Sequence, residues 1–533
     1  METLTTALVN LKNRHVDPLA LTGFFLFSLV FNSAEKVHLT APVLAFLAAI
    51  LLILPIRAGL RFLLKDADKV DLALFLLISV FFTYGRVYEV MPGLQVGDLV
   101  IGRNKYMLVG LPALGVLAYA FLRLGPEPLL RKARTFTFLV TWALVLALPL
   151  SHLQRLRLKD QQGQANPWTG LGQISSLPPP PPAAASPRLH NIYYIILDSY
   201  MEGGALQRHY GYDNAWFLEA LKRKGFRVGE GTHSNYPFTL LSMSSTLNMD
   251  YIHTGVTPPG QKLGSPEAFK ALGASTVLAA MAAKGYAIET RLGWANSLRY
   301  SLAYGTSRPL DLVTNEYVML LVRTSLLRVI EKELLAKPLR AQVLDTFREL
   351  GTGRLTDRPY FVYAHILCPH PPYIFNRDGS MPSLLQSTYG RLENTAGYTG
   401  QLAYISQATL ETVDQILKND PSDPVIILQG DHGHGYALGD QLLLKTKPST
   451  PFLEAQMGIL LATRYPASLP NGSYPGESPV NLFRVLFNDL FASGYPLLPD
   501  RHYHTPILEP WQFTEVTADL TPPRPPPPPS PTR

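Results

Sequence analysis

Five apolar segments in the first 150 residues constrain this chain more than any other feature. Leu19 to Phe31, Val43 to Pro55, Leu72 to Thr83, Met107 to Leu122 and Phe136 to Leu150 are each apolar or nearly so. Helices built on them have almost no polar face, which suits lipid better than the edge of a water-soluble core. Several are shorter than the roughly 20 residues that cross a bilayer, so flanking residues must extend each span. Composition agrees: 47% of the 533 residues are hydrophobic and only 16% are charged, against roughly 25% charged in soluble domains. The formal charge of +7 does not point to nucleic acid, because several of the basic residues lie in short loops between these segments.

Those loops set the orientation. With Met1 inside, the inner loops hold Lys12, Arg14, Arg57, Arg61, Lys65, Lys69, Arg123, Arg131, Lys132 and Arg134, ten basic residues, and the outer loops hold four, Lys36, Arg86, Arg103 and Lys105. Short cytoplasmic loops carry the excess of Lys and Arg, so the N-terminus is expected in the cytoplasm, and five spans place everything after residue 151 outside. No cleavable signal peptide is evident, since the first apolar segment lacks a small-residue cleavage site and more spans follow. The single cysteine, Cys368, cannot form an intramolecular disulfide. The expectation is therefore a multi-pass protein of the cytoplasmic membrane with an extracytoplasmic domain.

Composition divides the remainder. After the helical domain of residues 1–150, a linker over 151–190 contains SSLPPPPPAAASPR (175–188), which is expected to be extended and semi-rigid. A tail over 511–533 ends in TPPRPPPPPSPTR and is expected to be disordered. Between them, 191–510 alternates strand-like runs at 192–197, 360–367, 425–428 and 457–462 with helical patterns at 216–224, 266–284, 315–335, 401–418 and 479–491. Continuous apolar strands alternating with helices predict an α/β fold around a mostly parallel sheet covered on both faces. In such sheets, sites lie just beyond the carboxyl ends of the strands.

Chemistry-bearing residues fall where that rule places them. The run VIILQGDHGHGY (425–436) ends in Asp431, His432 and His434 among three glycines, and the strand at 192 ends in Asp198 and Ser199. The first reads either as a tight polar turn or, with Asp198, as a carboxylate and imidazole set suited to zinc or manganese with a position left open. In NYPFTLLSMSSTLNM (235–249), Thr239 opens a helical stretch. It reads either as an ordinary N-cap or as a hydroxyl at a helix N-terminus that favours anions. In AHILCPHPPYIF (364–375), His365 reads as a core histidine, and His370, held between prolines beyond the strand end, as a ligand or substrate contact.

Taken together these motifs resemble the alkaline phosphatase superfamily, and most of all its membrane-anchored sulfatase-like hydrolases and transferases, such as lipoteichoic acid synthases and phosphoethanolamine transferases. The resemblance runs from about 190 to 505 and is strengthened by PVNLFRVLFN and YPLLPDRHY near its end. It implies that Thr239 is the nucleophile and that Asp198, Thr239, Asp431 and His432 bind one divalent metal, Zn or Mn. His370 would contact the substrate phosphate or a second metal, and His434 is a further candidate for that role. Two departures stand out: many such transferases carry Glu where this chain has Asp198, and Ser199 stands where sulfatases often have a second Asp. Cys368 does not fit the C-x-P-x-R sequence converted to formylglycine, so sulfate-ester hydrolysis is not expected. The implied activity is transfer or hydrolysis of a phospholipid-derived phosphodiester group through phospho-Thr239, with a phospholipid donor and an envelope glycan or lipid acceptor. The alternative is a non-catalytic membrane protein whose outer domain is a binding module. It fits less well, because a decayed site would be expected to lose a member of the set.

Overall fold

The computed structural model describes residues 10–32, 40–90, 95–96, 99–100, 104–162, 189–252, 275–292, 316–353, 356–382, 394–439, 441–443, 446–469, 478–506 and 512–520. The chain forms two units: one takes residues 1–165 together with Pro309–Pro338, the other Asn166–Arg308 and Leu339–Arg533.

In the helical unit every apolar segment lies in a helix: α1 (Asp17–Asn32), α2 (Thr40–Leu64), α3 (Ala67–Val90), α4 (Asn104–Leu124) and α5 (Glu127–Gln162). Three stretches, Thr40–Leu64, Ala67–Tyr88 and Glu127–Pro149, are long and apolar enough to cross a membrane. The other two expected spans coincide with the shorter apolar helices Asp17–Val30 and Gly110–Leu124, so three of the five reach the length a bilayer sets. Large apolar side chains point away from the protein, Leu51 at 73% exposure and Val116 and Leu117 at 68%. One cluster of charged side chains is buried inside. Arg134, fully buried, forks onto Asp17 at 2.8 and 3.0 Å and reaches Asp71 at 2.7 Å and Asp68 at 3.2 Å. Arg57 and His15 close on the same Asp71. The helix also runs past 150 to Gln162, through residues expected to be linker, while 163–188 lie outside the described residues.

The second unit is built on a six-stranded mixed sheet in the order β2-β6-β5-β1-β4-β3, with β1 Ile192–Leu197, β2 Arg227–Val228, β3 Ala287–Leu292, β4 Tyr360–Ile366, β5 Val425–Gln429 and β6 Leu461–Arg464. The strands β3, β4, β1 and β5 are parallel, and β6 runs antiparallel to both β5 and β2. Alternate residues Ile192, Tyr194 and Ile196 of β1 pack into one core cluster with helices α8 (Thr239–Asn248), α9 (Thr276–Ala283) and α14 (Pro479–Phe491). The residues of opposite parity, Tyr193, Ile195 and Leu197, are buried as well, so both faces are covered.

Several elements depart from the expected bounds. The pattern at 457–462 splits: Thr450–Met457 is a helix, α13, with Pro451 in its first turn, and the strand begins at Leu461. Of the pattern at 266–284, residues 266–274 lie outside the described residues, and the helix runs Thr276–Ala283. The pattern at 315–335 gives a short helix, α10 (Glu316–Thr324), followed by 3-10 and π turns. The expectation of disorder from 511 is overturned for 514–520. Thr514–Glu515 pairs with Tyr503–His504, and Val516 and Leu520 pack on Leu453 and Met457 of α13. Burial of these two side chains orders a segment whose polar neighbours hid it, and 521–533 lie outside the described residues.

Candidate active site

Strand register brings the site together. Leu197 of β1 lies opposite Ile366 of β4, and Ile196 opposite both His365 of β4 and Gln429 of β5, so the three parallel strands end at one edge. Asp198 follows β1 directly and Asp431 follows β5 by two residues. The chain turns sharply at each. Ser199 adopts φ +61°, the left-handed region, which costs a non-glycine residue roughly 1–2 kcal/mol. The turn is held by the Ser199 N–H donating to Asp431 Oδ1 at 3.0 Å and by Tyr398 O–H donating to the Ser199 carbonyl at 2.7 Å. In the DHGHG turn, a Cβ on Gly430 would lie 2.3 Å from the Tyr200 carbonyl oxygen, and one on Gly433 would lie 2.1 Å from that of Ala455. Glycine is there because the backbone passes so close to its neighbours.

These turns aim side chains at one buried point. Asp431 Oδ1 accepts the N–H groups of Ser199 and His432, while its Oδ2 is buried with no hydrogen-bond partner. His432 Nδ1 meets the Gly433 carbonyl oxygen at 2.7 Å, and Nε2 lies 3.7 Å from both Asp198 Oδ1 and Asp431 Oδ2. Two carboxylate oxygens and a ring nitrogen at this spacing call for positive charge between them, a proton on the ring or a bound cation. Ligand bonds of about 2.0–2.2 Å set tetrahedral ligand atoms roughly 3.3–3.6 Å apart, close to the spacing found. The donor set therefore fits a divalent metal. Two groups of donors lie within 4.8 Å of one another, Asp198 with His370 and His432, and Asp198 with His365 and Asp431.

The histidines act on Asp198 from three sides. Burial works to raise its carboxyl, but His370, His365 and His432 outweigh burial and hold it low, at about 2. His365 responds in kind: burial lowers it, while its hydrogen bond to Asp198 and the charges of Asp198 and Asp431 carry it above its ordinary value. His365 is buried, as expected of a core histidine, yet its Nε2 lies 3.3 Å from Asp198 Oδ2 and its Nδ1 3.2 Å from the Tyr363 hydroxyl. It is part of the site, and the sequence reading missed it.

His370 is half-buried, with its backbone N–H on the Asp198 carbonyl at 2.9 Å and its ring edge-on to His432 at 6.1 Å between centroids. His434 is held differently. Its Nδ1 meets the Tyr210 hydroxyl at 2.6 Å and its Nε2 that of Tyr373 at 3.1 Å, and the ring stacks on Tyr398 at 4.2 Å. Burial drives it well below its ordinary value, so it is a neutral ring in a tyrosine cage. Thr239 is the first residue of α8. The N-cap is Phe238, which makes no side-chain capping bond, so the simple cap reading of Thr239 does not hold.

Two buried glutamines, also unmarked in the sequence reading, clamp the loops. Gln456 donates to the Pro237 carbonyl at 2.7 Å, accepts the Gly435 N–H at 2.9 Å and lies 3.4 Å from His432 Nδ1, which ties the loop before Thr239 to the DHGHG turn. Gln401 donates to the carbonyls of Pro369 and His370 and accepts the N–H groups of Ile374 and Phe375, which fixes the PHPPY loop.

A strand-edge site of this kind, with carboxylate and imidazole donors after the first and a late parallel strand, defines an alkaline phosphatase-like protein. Residues 190–461, just over half of the chain, match the family model described as Sulfatase, and the chain belongs to that family. Among curated proteins none matches it. Among solved structures it is similar to the C-terminal periplasmic domain of EcEptC from Escherichia coli (14% identity, TM-score 0.39, 62% of this chain and 93% of that one). It is also similar to the corresponding domain of a phosphoethanolamine transferase from Campylobacter jejuni (13%, 0.33, 56% and 89%). A third likeness is to a phosphonate monoester hydrolase of Agrobacterium radiobacter (15%, 0.36, 59% and 80%).

Proposed function

We propose that this protein is a metal-dependent phosphotransferase or phosphodiesterase of the cytoplasmic membrane, acting at its outer face on a phospholipid-derived phosphodiester. The observation that carries the reading is His432 Nε2 at 3.7 Å from both Asp198 Oδ1 and Asp431 Oδ2, with Asp431 Oδ2 buried and without a hydrogen-bond partner. Asp198, Asp431, His432 and Thr239 would hold one divalent ion, Zn or Mn. Bound there, it would polarise a phosphoryl oxygen and lower the pKa of the Thr239 hydroxyl. His365 acts as a positioning residue, fixing the Asp198 carboxylate from behind. His370, on its stiff loop, faces the substrate phosphate, and the N-terminal turn of α8 offers backbone N–H groups to the same anion.

Thr239 Oγ1 forms a bond to phosphorus as the bond from phosphorus to the lipid alcohol oxygen breaks, and that oxygen leaves with the proton. An acceptor hydroxyl, on an envelope glycan or lipid, then takes the phosphoryl group and returns a proton to Thr239, and water in its place makes the reaction a hydrolysis. The orientation is supported by the helical unit. Asp17, Arg57, Asp71 and Arg134 meet at one end of the helices, the end rich in basic loops, and residues of the outer half pack at the other end of α3.

The test is trapping of phosphate on the full chain. With added Zn or Mn and a fluorescent phospholipid, the parent should turn over and carry phosphate on Thr239, Thr239→Ser should keep part of the activity, and Thr239→Ala should lose the phosphoenzyme. Parent-like turnover by Thr239→Ala refutes the assignment. Absence of turnover of any phosphodiester, phosphomonoester or sulfate ester, with lipid binding intact, favours the binding module.

A further inference from the structure

The sequence between β3 and β4 leaves the sheet unit and enters the helical one: Pro309–Pro338 belongs with residues 1–165. Its described part, from Glu316, packs by α10 and the 3-10 turn at Leu326–Ile330 against α1 and α3. The approach to α3 is at backbone distance. A Cβ on Gly85 would lie 1.8 Å from the Arg323 carbonyl oxygen and 2.7 Å from the carbonyl carbon of Thr324. One turn on, the Arg328 guanidinium stands over the Tyr88 ring at 4.5 Å. Tyr317 and Val322 are buried at the contact, and Leu321 joins the core of the helical unit.

Among the described residues the other side of the segment is only partly covered: Met319, Leu320, Leu326, Leu327 and Val329 are half-buried and Ile330 is 47% exposed. They continue the apolar surface of helices whose own outward leucines and valines need lipid to cover them. Gly85 and Tyr88 stand at the end of α3 remote from its start beside Asp68 and Asp71, and tyrosine with arginine at a helix end is the side-chain chemistry of a membrane interface.

We infer that residues 316–338 are a second membrane attachment of the outer half, docked through Gly85 and bedded by their apolar side in the outer interface of the bilayer. The catalytic unit is then held to the membrane from inside its own sheet sequence and not by the 151–190 linker alone. The occupant of the apolar side is lipid. The inference rests on the membrane reading of α1 to α5, and the experiment separates the two.

A specific protease site is placed within 175–188 of the full chain, which is reconstituted in phosphatidylcholine vesicles, cut and washed with high salt. The fragment after the cut should stay with the vesicles in the parent and be released in Gly85→Leu. Gly115→Leu, whose Cβ would meet nothing within 4 Å, should behave as the parent. Release of the parent fragment overturns the attachment, and retention in Gly85→Leu overturns the docking. An uncut parent absent from the vesicles overturns the membrane reading itself. For the lipid side, Ile330→Cys is labelled with a polarity-sensitive dye, Cys368 being fully buried. Blue-shifted emission quenched by a lipid-borne quencher is expected, and water-like emission overturns the lipid contact.

Discussion

Asp431→Asn tests the metal reading with little disturbance of the fold. The amide oxygen can keep both backbone bonds of Oδ1, from Ser199 at 3.0 Å and His432 at 2.9 Å, so the turn stays pinned. The change falls on Oδ2, which has no hydrogen-bond partner to lose; an amide there faces His432 Nε2 at 3.7 Å and His365 Nε2 at 4.0 Å with hydrogens and no charge. The metal-free variant should therefore melt close to the metal-free parent. With metal at a hundred times its dissociation constant the parent gains about 2.7 kcal/mol. At about 2.1 cal/mol/K per residue, over a unit of roughly 300 residues, that is a rise of about 4 °C. The assay is thermal melting of the full chain in detergent against Zn or Mn, alongside metal content by mass spectrometry. The parent should rise with metal and Asp431→Asn should not. An equal rise in both, with equal metal content, refutes the convergence of Asp198, Asp431 and His432 as a metal site.

Two further predictions bear on the frame around the site. Gly433→Ala pushes a methyl group to 2.1 Å from the Ala455 carbonyl, which backbone alone can relieve; turnover and metal content should both fall, and parent-like values in both would show that the DHGHG turn tolerates a side chain. Acid should loosen the second unit through its buried histidines. Burial, as the first cause in each, depresses His233 to about 3 and His504 to about 4 and lowers His502. The unfolded chain takes up protons below about 6.5 and the folded one does not, so stability falls as pH drops from about 6.5 to about 4. Melting of the parent between pH 7 and 4.5 should show that fall, and His504→Phe should flatten it; a parent profile level over this range sinks the assignment.

What the sequence made legible follows from where each signal is stored. The strands β1, β4 and β5 and the helix α14 announce themselves because both faces are buried and the apolar runs are continuous. The edge strand β3, AIETRL, carries Glu289 and Arg291, which pair with each other and with Glu349, so it has no apolar run to read. The DHGHG turn is visible because close backbone approach demands glycine. His365 is hidden because it sits inside an apolar strand, and only the register Ile196 to His365 brings it to Asp198, 167 positions earlier in the chain. Gln401 and Gln456 are hidden for the same reason, since each serves loops remote in sequence. The pattern at 315–335 reads as an ordinary helix of an α/β domain, and nothing local says that its partner is α3.

The helical unit raises the question why Arg134 should be fully buried among Asp17, Asp68 and Asp71 with Arg57 and His15 beside them. Desolvating such charges offsets most of their attraction, so apolar residues of the same volume would serve stability as well or better. What apolar residues cannot do is distinguish one end of a bundle from the other. Asp17 opens α1, Asp68 and Asp71 open α3, and Arg134 lies in the second turn of α5, while Arg57 lies near the close of α2. A single guanidinium of α5 shared by the starts of α1 and α3 fixes the direction and level of the three helices together, and a register shifted by one turn would leave a buried carboxylate without its partner. With those starts level, the far end of α3 is set as well, and that end carries Gly85 and Tyr88, against which Arg323, Thr324 and Arg328 of the segment between β3 and β4 pack.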